Sequence, residues 1–166
     1  MPVRPVIQLP EAILTRPAME CGSMNDDLRA LAVDLVDTMR VSPGCVGLAA
    51  PQLGAGLRAF VVDVTGHRKA RSCHGTVVMF DPVLVSYSGA ELAREGCMSV
   101  PDLTGDVPRP TAVVVRGVSP DGDDLEIEAD AFEARAFLHE LDHLDGKLFL
   151  DRVPGPSAVF QRRVYR

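Results

Sequence analysis

The sequence predicts an α+β fold in which small antiparallel or mixed β-sheets pack around a buried central helix. Three observations indicate this class: an amphipathic helical pattern near the start, a middle region of valine-rich strand-like segments, and a late helical pattern that is apolar on almost every face. The 166 residues suffice for one domain and are too few for two of ordinary size. We therefore expect residues 1–166 to form a single domain with a short basic tail from about residue 152.

The first helix is predicted after Asn25, a residue type that caps helix starts, and before Pro43. Asp26 and Asp27 lie in its first turn, where the helix dipole favours negative charge. Apolar residues recur at steps of three and four: Leu28, Leu31, Ala32, Leu35, Val36 and Met39. This spacing predicts one buried face.

Four segments bounded by Gly, Pro or Asp have the character of strands: 57–64, 76–85, 111–118 and 125–129. Between the last two, Ser119-Pro120-Asp121-Gly122 is a strong turn signal and predicts a hairpin.

A second helix is predicted from Asp130 to about Leu144, with Gly146 placed to end it. Asp130 and Glu133 have the spacing of a capping-box variant. Apolar side chains occupy nearly all faces of this helix: Phe132, Ala136, Phe137, Leu138, Leu141 and Leu144. We therefore expect the helix to be largely buried.

Composition excludes several classes of protein. The net charge of −6 argues against a main role in binding nucleic acid, and no apolar run approaches the ~20 residues that a bilayer crossing needs. The first residues lack a signal-peptide pattern, so a cytoplasmic protein is expected. Thiols stay reduced there, and we expect Cys21, Cys45 and Cys73 to be small, buried and inert.

The late helix carries residues 139–143, HELDH, which is an HExxH pattern. His139 and His143, four residues apart, project from one helix face and can bind one metal ion, while Glu140 can activate a water molecule beside them. Burying these groups without partners would cost several kcal/mol. The alternative, two surface histidines on an amphipathic helix, fits the apolar surroundings poorly.

A catalytic metal needs a third protein ligand. The residues after the second histidine supply neither a glutamate nor a histidine at the usual spacing, so this ligand lies upstream or is one of the remaining Asp residues. His67 and His74 lie in a polar, arginine-rich loop and are expected to be solvated. Cys97, in residues 95–99 (EGCMS), follows a possible strand and would give a chemically coherent Cys/His/His set suited to zinc or ferrous iron.

Three segments together resemble the peptide deformylase family: 47–52 (GLAAPQ), 95–99 (EGCMS) and 139–143 (HELDH). They occur in the family's order, and the likeness runs from about Ile7 to Asp151. The resemblance implies a metal-dependent hydrolase that removes the N-formyl group from the initiator methionine of nascent polypeptides and releases formate. It also implies one divalent metal per chain, natively Fe²⁺, for which Zn²⁺, Ni²⁺ or Co²⁺ can substitute.

The same resemblance implies roles for the matching residues. The metal ligands would be Cys97, His139 and His143. Glu140 would take a proton from the attacking water and later pass it to the departing amine. Gln52 and the backbone N–H of Met98 would donate hydrogen bonds to the oxygen on which negative charge develops.

The substrate would lie against one group of residues: Val46, Gly47, Leu48, Glu95, Phe132 and Ala136. Small residues from Gly47 to Ala50 would let an extended peptide add to a strand edge. Val46, Phe132 and Ala136 would line the methionine pocket, with ordinary core packing as the alternative.

Two further residues are expected to support this site. Asp142 would orient a ligand or hold neighbouring backbone in place. Arg109 would pair with Glu95, the alternative being two solvated charges.

The sequence departs from the family's pattern at several positions. Cys45 stands where glycine is usual, and a positive φ there would strain it. Leu138 replaces a common glutamine, and Thr104 stands where an arginine near the substrate is frequent. The alternative function is therefore a specialised deformylase or amidohydrolase acting on a small N-formylated or N-acylated metabolite. A binding module without activity is disfavoured, since Glu140 and Gln52 are both present.

Arginines make the last stretch basic: Arg152, Arg162, Arg163 and Arg166. One hypothesis is a weak contact with ribosomal RNA, and the alternative is a frayed, solvated terminus. We expect a monomer with neither DNA nor membrane as a partner.

Overall fold

Helix α2 (Ala131–Leu144) lies against a five-stranded antiparallel sheet, and a hairpin from a second sheet closes over its other side. The computed structural model describes residues 3–162. In chain order the strands are β1 (Gly47–Ala49), β2 (Ala59–Val62), β3 (Val77–Ser88), β4 (Glu91–Cys97), β5 (Val100–Arg109), β6 (Ala112–Val118), β7 (Asp124–Asp130) and β8 (Val159–Gln161). The larger sheet has the order β1-β2-β3-β6-β7 and the smaller one β4-β5-β8.

Strand β2 is buried on both faces, as its uninterrupted apolar sequence requires. Phe60 and Val62 face α2, where the ring of Phe137 meets that of Phe60 edge-on with centroids 5.8 Å apart. Ala59 and Val61 belong to the core cluster beneath the other helix, α1 (Asp26–Arg40). The two helices therefore sandwich the first strands of the sheet.

The local signals for α1, for the late hairpin and for the end of α2 are confirmed. The side chain of Asn25 accepts a hydrogen bond from the backbone N–H of Leu28 at 2.9 Å. Strands β6 and β7 pair along their length through the predicted turn, in which Gly122 has φ +86°. Gly146, with φ +76°, follows α2 as expected.

The predicted capping box at the start of α2 is wrong. The Glu133 carboxylate, fully buried, accepts hydrogen bonds from the Ser72 hydroxyl and the His74 backbone N–H, both at 2.8 Å. Asp130 accepts from the backbone N–H of Ser72 instead of capping the helix. Both carboxylates thus anchor the loop that precedes β3.

His74 in that loop is exposed, as predicted, but the loop makes more contacts with the protein than its composition suggests. His67 stacks on Phe132 with the ring centroids 3.8 Å apart, and His74 is held by a buried carboxylate. The cysteine expectations also need correction: Cys73 is exposed, while Cys21 and Cys45 are only partly buried. An arginine-rich loop can therefore still supply specific contacts to the core.

The strand pattern did not predict the β4–β5 hairpin. Its sequence contains Gly96, Pro101 and Gly105 among charged residues, so no clean alternation is visible. The tail also differs from a frayed terminus: β8 pairs with β5, with Thr104 opposite Phe160. Arg163 and Arg166 lie outside the described residues.

Neither helix in residues 3–162 is both long enough and apolar enough to span a membrane.

The contact between α2 and β2 should contribute to the free energy of unfolding. We expect Phe137→Ala to lower the free energy of unfolding by about 3–5 kcal/mol, because it leaves a cavity beside Phe60. The matched control is Val33→Ala on α1, where the side chain is 52% exposed and the change should stay within about 0.5 kcal/mol. Urea denaturation at equal metal loading measures both. A loss below 1 kcal/mol for Phe137→Ala would contradict this packing role.

Candidate metal centre and active site

Two histidines of α2 and a cysteine from the distant strand β4 converge at one face of the helix. Ligand atoms of Cys97, His139 and His143 all lie within 4.8 Å of one another. The Cys97 Sγ is 3.3 Å from Nε2 of His143, and both residues are buried. The sequence prediction that a thiol and two imidazoles meet at one point is therefore supported by their geometry.

Helix and hairpin geometry each bring part of this cluster into position. The two histidines share a face of α2 because they are four residues apart. Cys97 ends β4, where the pairing with β5 shifts register between Gly96 and Cys97. Such an irregularity re-aims the next side chain, here toward the helix.

The electrostatic surroundings favour the thiolate form of Cys97. Burial by itself would raise its pKa, but the charge of His143 and hydrogen bonds from both histidines hold the pKa well below its ordinary value. Thiolate sulfur and imidazole nitrogen are the donor types that zinc and ferrous iron accept. The chemistry of the donor set therefore fits a divalent cation.

Glu95 holds His139 from the side away from the cluster. Its Oε1 is 2.9 Å from Nδ1 of His139, which leaves Nε2 to face the cluster. Arg109 donates two hydrogen bonds to the same carboxylate, at 2.7 and 2.9 Å, and Arg135 donates a third at 2.7 Å. Burial opposes ionisation, yet these partners hold the pKa of Glu95 well below its usual range.

The expected Glu95–Arg109 pair is thus confirmed, and the solvated alternative is wrong. Glu95 also lines the cavity described below, but its oxygens are engaged by protein donors. The role of Arg135 was not predicted from the sequence. The feature that could have indicated it is a charged residue in a helix that is apolar on almost every face.

Asp142 supports the site indirectly, through its contact with Arg109. It accepts hydrogen bonds from Arg109 at 2.8 Å and from Arg152 at 2.9 Å, so it steadies the arginine that grips Glu95. It does not orient a histidine directly, as one form of the prediction had it. Arg152, assigned to the basic tail from sequence, reaches this network from the surface with its side chain 43% exposed.

Glu140 lies beside the edge strand β1. A Cβ added to Gly47 would be 2.9 Å from Oε1 of Glu140, so a side chain at this position would displace the carboxylate. Burial raises the pKa of Glu140 to about 7, although the positive charges of His143 and His139 act in the opposite direction. Its Oε2 has no hydrogen-bond partner among the described residues. The carboxylate is therefore positioned to exchange a proton with a small molecule at the cluster.

Gln52 is fixed by hydrogen bonds at both ends of its amide. Oε1 accepts from the backbone N–H of Ala49 at 2.9 Å, and Nε2 donates to the hydroxyl of Ser99 at 3.0 Å. The same Nε2 lies 3.5 Å from the sulfur of Cys97. The amide nitrogen thus faces the metal-ligand cluster, as a donor to a reacting oxygen must.

A cavity of about 160 Å³ opens onto the cluster. The sequence-predicted residues that line it are Val46, Gly47, Gln52, Glu95, Cys97, Met98, Phe132, Ala136, His139 and Glu140. Cys45 also lines it, and its φ is not in the left-handed region, so the expected strain is absent.

Leu48 is predicted to lie against substrate, and its side chain does not line the cavity. Leu48 is fully buried in the core cluster beneath α1, whereas Ala49 belongs to the cluster beneath α2. Successive residues of a strand point to opposite faces of the sheet. Gly47 therefore borders the cavity while the next side chain is turned away from it.

An HExxH helix in a site with three protein ligands is typical of hydrolases that use one metal ion. Residues 3–158 match the sequence model of polypeptide deformylase. A peptide deformylase of Desulforudis audaxviator is 40% identical over 164 residues, which cover 98% of this chain and 99% of that relative. The chain belongs to the peptide deformylase family, hydrolases that remove the formyl group from nascent polypeptides.

Solved structures agree. A peptide deformylase from Legionella pneumophila gives a TM-score of 0.84 at 35% identity, covering 94% of this chain and 88% of that chain. A class I type b peptide deformylase from Acinetobacter baumannii, with Met-Ala-Ser bound, gives 0.79 at 32% identity, covering 91% and 98%. The family predicted from sequence is confirmed, and the alternative small-metabolite substrate is not favoured.

Loss of charge at Glu95 should weaken metal binding and the fold together. We expect Glu95→Gln to lower metal affinity about tenfold to 100-fold, because His139 loses the carboxylate that orients it. The free energy of unfolding should fall by about 3 kcal/mol, since Arg135 stays buried without a counter-charge and Arg109 keeps only its pair with Asp142. Competition with a chelator and urea denaturation measure the two effects. Glu126→Gln, in an exposed pair with Arg116, should change neither.

The close approach of Gly47 to Glu140 should matter for turnover. Gly47→Ala should reduce kcat/KM about tenfold to 100-fold, because the new methyl group displaces the carboxylate of Glu140. Metal content should stay at one ion per chain. The matched control is Gly56→Ala, where an added Cβ meets no atom within 4 Å. Equal activity of the two variants would show that this approach is irrelevant to turnover.

Proposed function

We propose that this chain uses one divalent cation, held by Cys97, His139 and His143, to deformylate the initiator methionine of nascent chains. The observation that carries the proposal is the convergence of these donors beside a buried carboxylate, at the end of a cavity. Fe²⁺ is the native ion in this proposal, with Zn²⁺, Ni²⁺ or Co²⁺ able to substitute, because the sulfur and nitrogen donors suit all four. The enzyme acts as a monomer in the cytoplasm, where formylated chains are made.

When bound, the cation supplies Lewis acidity, which lowers the pKa of a water molecule and polarises the formyl carbonyl. Cys97 contributes an anionic sulfur, because its surroundings favour the thiolate. His139 contributes Nε2, since Glu95 occupies its Nδ1. The surrounding side chains thus favour the ionised form of Cys97 and fix the orientation of His139.

Glu140 acts as general base and then as general acid. Its pKa, raised by burial to about 7, lets it accept a proton from the attacking water and return it to the amine of the departing methionine. The contact with Gly47 and the surrounding burial hold the carboxylate in one place during this transfer. A nearly neutral pKa suits both directions of the exchange.

Gln52 and Met98 stabilise the oxygen that becomes negative during the attack. The side-chain Nε2 of Gln52 carries two hydrogens, so it can keep its bond to Ser99 and donate the other to that oxygen. Met98 lines the same cavity and offers its backbone N–H as the second donor. The hydrogen bonds of Gln52 fix its amide before substrate arrives, which is the condition for effective charge stabilisation.

The substrate peptide binds in extended form along β1. This strand is the edge of the five-stranded sheet, so one side of its backbone is available for pairing. Val46, Phe132 and Ala136 provide apolar surface for the methionine side chain. The Acinetobacter baumannii relative binds Met-Ala-Ser, which supports a peptide that begins with methionine as the occupant of this site.

The deciding experiment compares the protein, purified without oxygen and analysed for metal, with its Glu140→Gln variant. Both should hold one metal ion per chain, while formate release from formyl-Met-Ala-Ser should fall about 100-fold to 10,000-fold in the variant. The fall is expected because no other buried carboxylate borders the cavity with a free oxygen among the described residues.

Glu128→Gln, an exposed change of the same type on β7, serves as the control and should retain full activity. Unimpaired turnover by Glu140→Gln would show that the general base is assigned to the wrong residue. Faster hydrolysis of formylated amines than of the tripeptide by the unaltered protein would overturn the proposed substrate.

A further inference from the structure

An arginine from the C-terminal strand lies at the mouth of the catalytic cavity. Arg162 follows β8, and its backbone N–H donates to the carbonyl of Asp102 at 2.9 Å, which extends the pairing with β5. Its guanidinium lies against Gly96, where an added Cβ would collide with it. Arg162 lines both the catalytic cavity and the surface cleft that continues from it.

The fold makes room for this side chain. Gly96 and Thr104 stand opposite each other on β4 and β5, and Thr104 in turn faces Phe160 on β8. Arg162 is two residues beyond Phe160, so the two side chains share a face of the smaller sheet. A glycine and a threonine leave space on that face, and the guanidinium of Arg162 occupies it.

The neighbouring arginines are already engaged. Arg94 pairs with Asp106 at 2.9 Å and stacks over the ring of Phe160, and Arg135 is bound to Glu95. Arg162 makes no ion pair with any residue in the described range 3–162, and its side chain donates no hydrogen bond there. It therefore offers its donors to whatever occupies the cavity mouth.

We infer that Arg162 is a specificity-determining residue that binds a carboxylate carried by the substrate downstream of its formyl-methionine. The inference rests on the proposed function. If the formyl group reaches the metal ligands at the inner end, the rest of an extended peptide leaves through the mouth, past Arg162. A guanidinium binds carboxylate through two parallel hydrogen bonds, a geometry that no neutral side chain offers. The carboxylate comes from an acidic side chain or, in a short peptide, from its free C-terminus.

The test uses metal-loaded protein and matched peptide amides. Formyl-Met-Asp-Ser amide is compared with formyl-Met-Asn-Ser amide, and formyl-Met-Ala-Asp amide with formyl-Met-Ala-Asn amide. Formyl-Met-Ala-Ser with a free C-terminus is compared with its amide. We expect kcat/KM to be about twofold to fivefold higher for the carboxylate member of at least one pair at low ionic strength, mainly through KM.

The preference should vanish in Arg162→Gln and persist in part in Arg162→Lys, which keeps the charge but loses the planar fork. Arg116→Gln on β6 removes the same charge from the larger sheet and should keep the full preference. The pair that responds identifies the source of the carboxylate.

Equal kcat/KM within every pair, or a preference that survives in Arg162→Gln, would overturn the inference while leaving the proposed function intact. Failure of the unaltered protein to hydrolyse any of these peptides would overturn both. Circular dichroism of each variant at equal metal content checks that the fold is kept.

Discussion

The site depends on one buried carboxylate that is shared by three positively charged or proton-donating side chains. Glu95 on β4 is bound by Arg109 from the end of β5 and by Arg135 and His139 from α2. An isolated charge at this depth would be strongly destabilising, so the carboxylate and its partners must form together. Because the partners lie on separate elements, satisfying this charge also fixes the hairpin against the helix.

That docking sets the position of the metal-ligand thiol. Cys97 lies two residues beyond Glu95 on the same strand, so holding one places the other opposite the histidines. The network extends outward through Asp142 to Arg152, near the C-terminal strand. The fold thus supports the ligands from behind while the cavity side stays open to substrate.

The cavity lies between the free edge of one sheet and the face of a helix. Gly47 on the edge strand approaches Glu140 on α2 so closely that no side chain fits between them. An extended peptide that joins the edge strand therefore passes directly beside the general base.

Local patterns in the sequence determined both helices, the late hairpin and the family. These patterns depend on contacts between residues close in sequence. Asn25 accepts a hydrogen bond from the backbone N–H of Leu28, three residues later, and the turn at 119–122 joins two adjacent strands. The β4–β5 hairpin was missed because glycine and proline interrupt its alternation, and its stability comes from contacts with α2. Glu133 was also predicted wrongly from local pattern. It has the spacing of a capping box, but it accepts a hydrogen bond from a loop about 60 residues away in sequence.

The sequence by itself determined the chemistry of the site. Two histidines four residues apart on a helix share a face whatever surrounds them, and the glutamate between them follows from the same local geometry. Tertiary structure decided which residues complete that chemistry. In the folded chain Glu95 is buried beside positively charged side chains, and Leu48 packs into the core. The side chain of Arg162 lies against Gly96 of β4. Those outcomes depend on strand pairing and burial between residues far apart in the chain, which no local pattern contains.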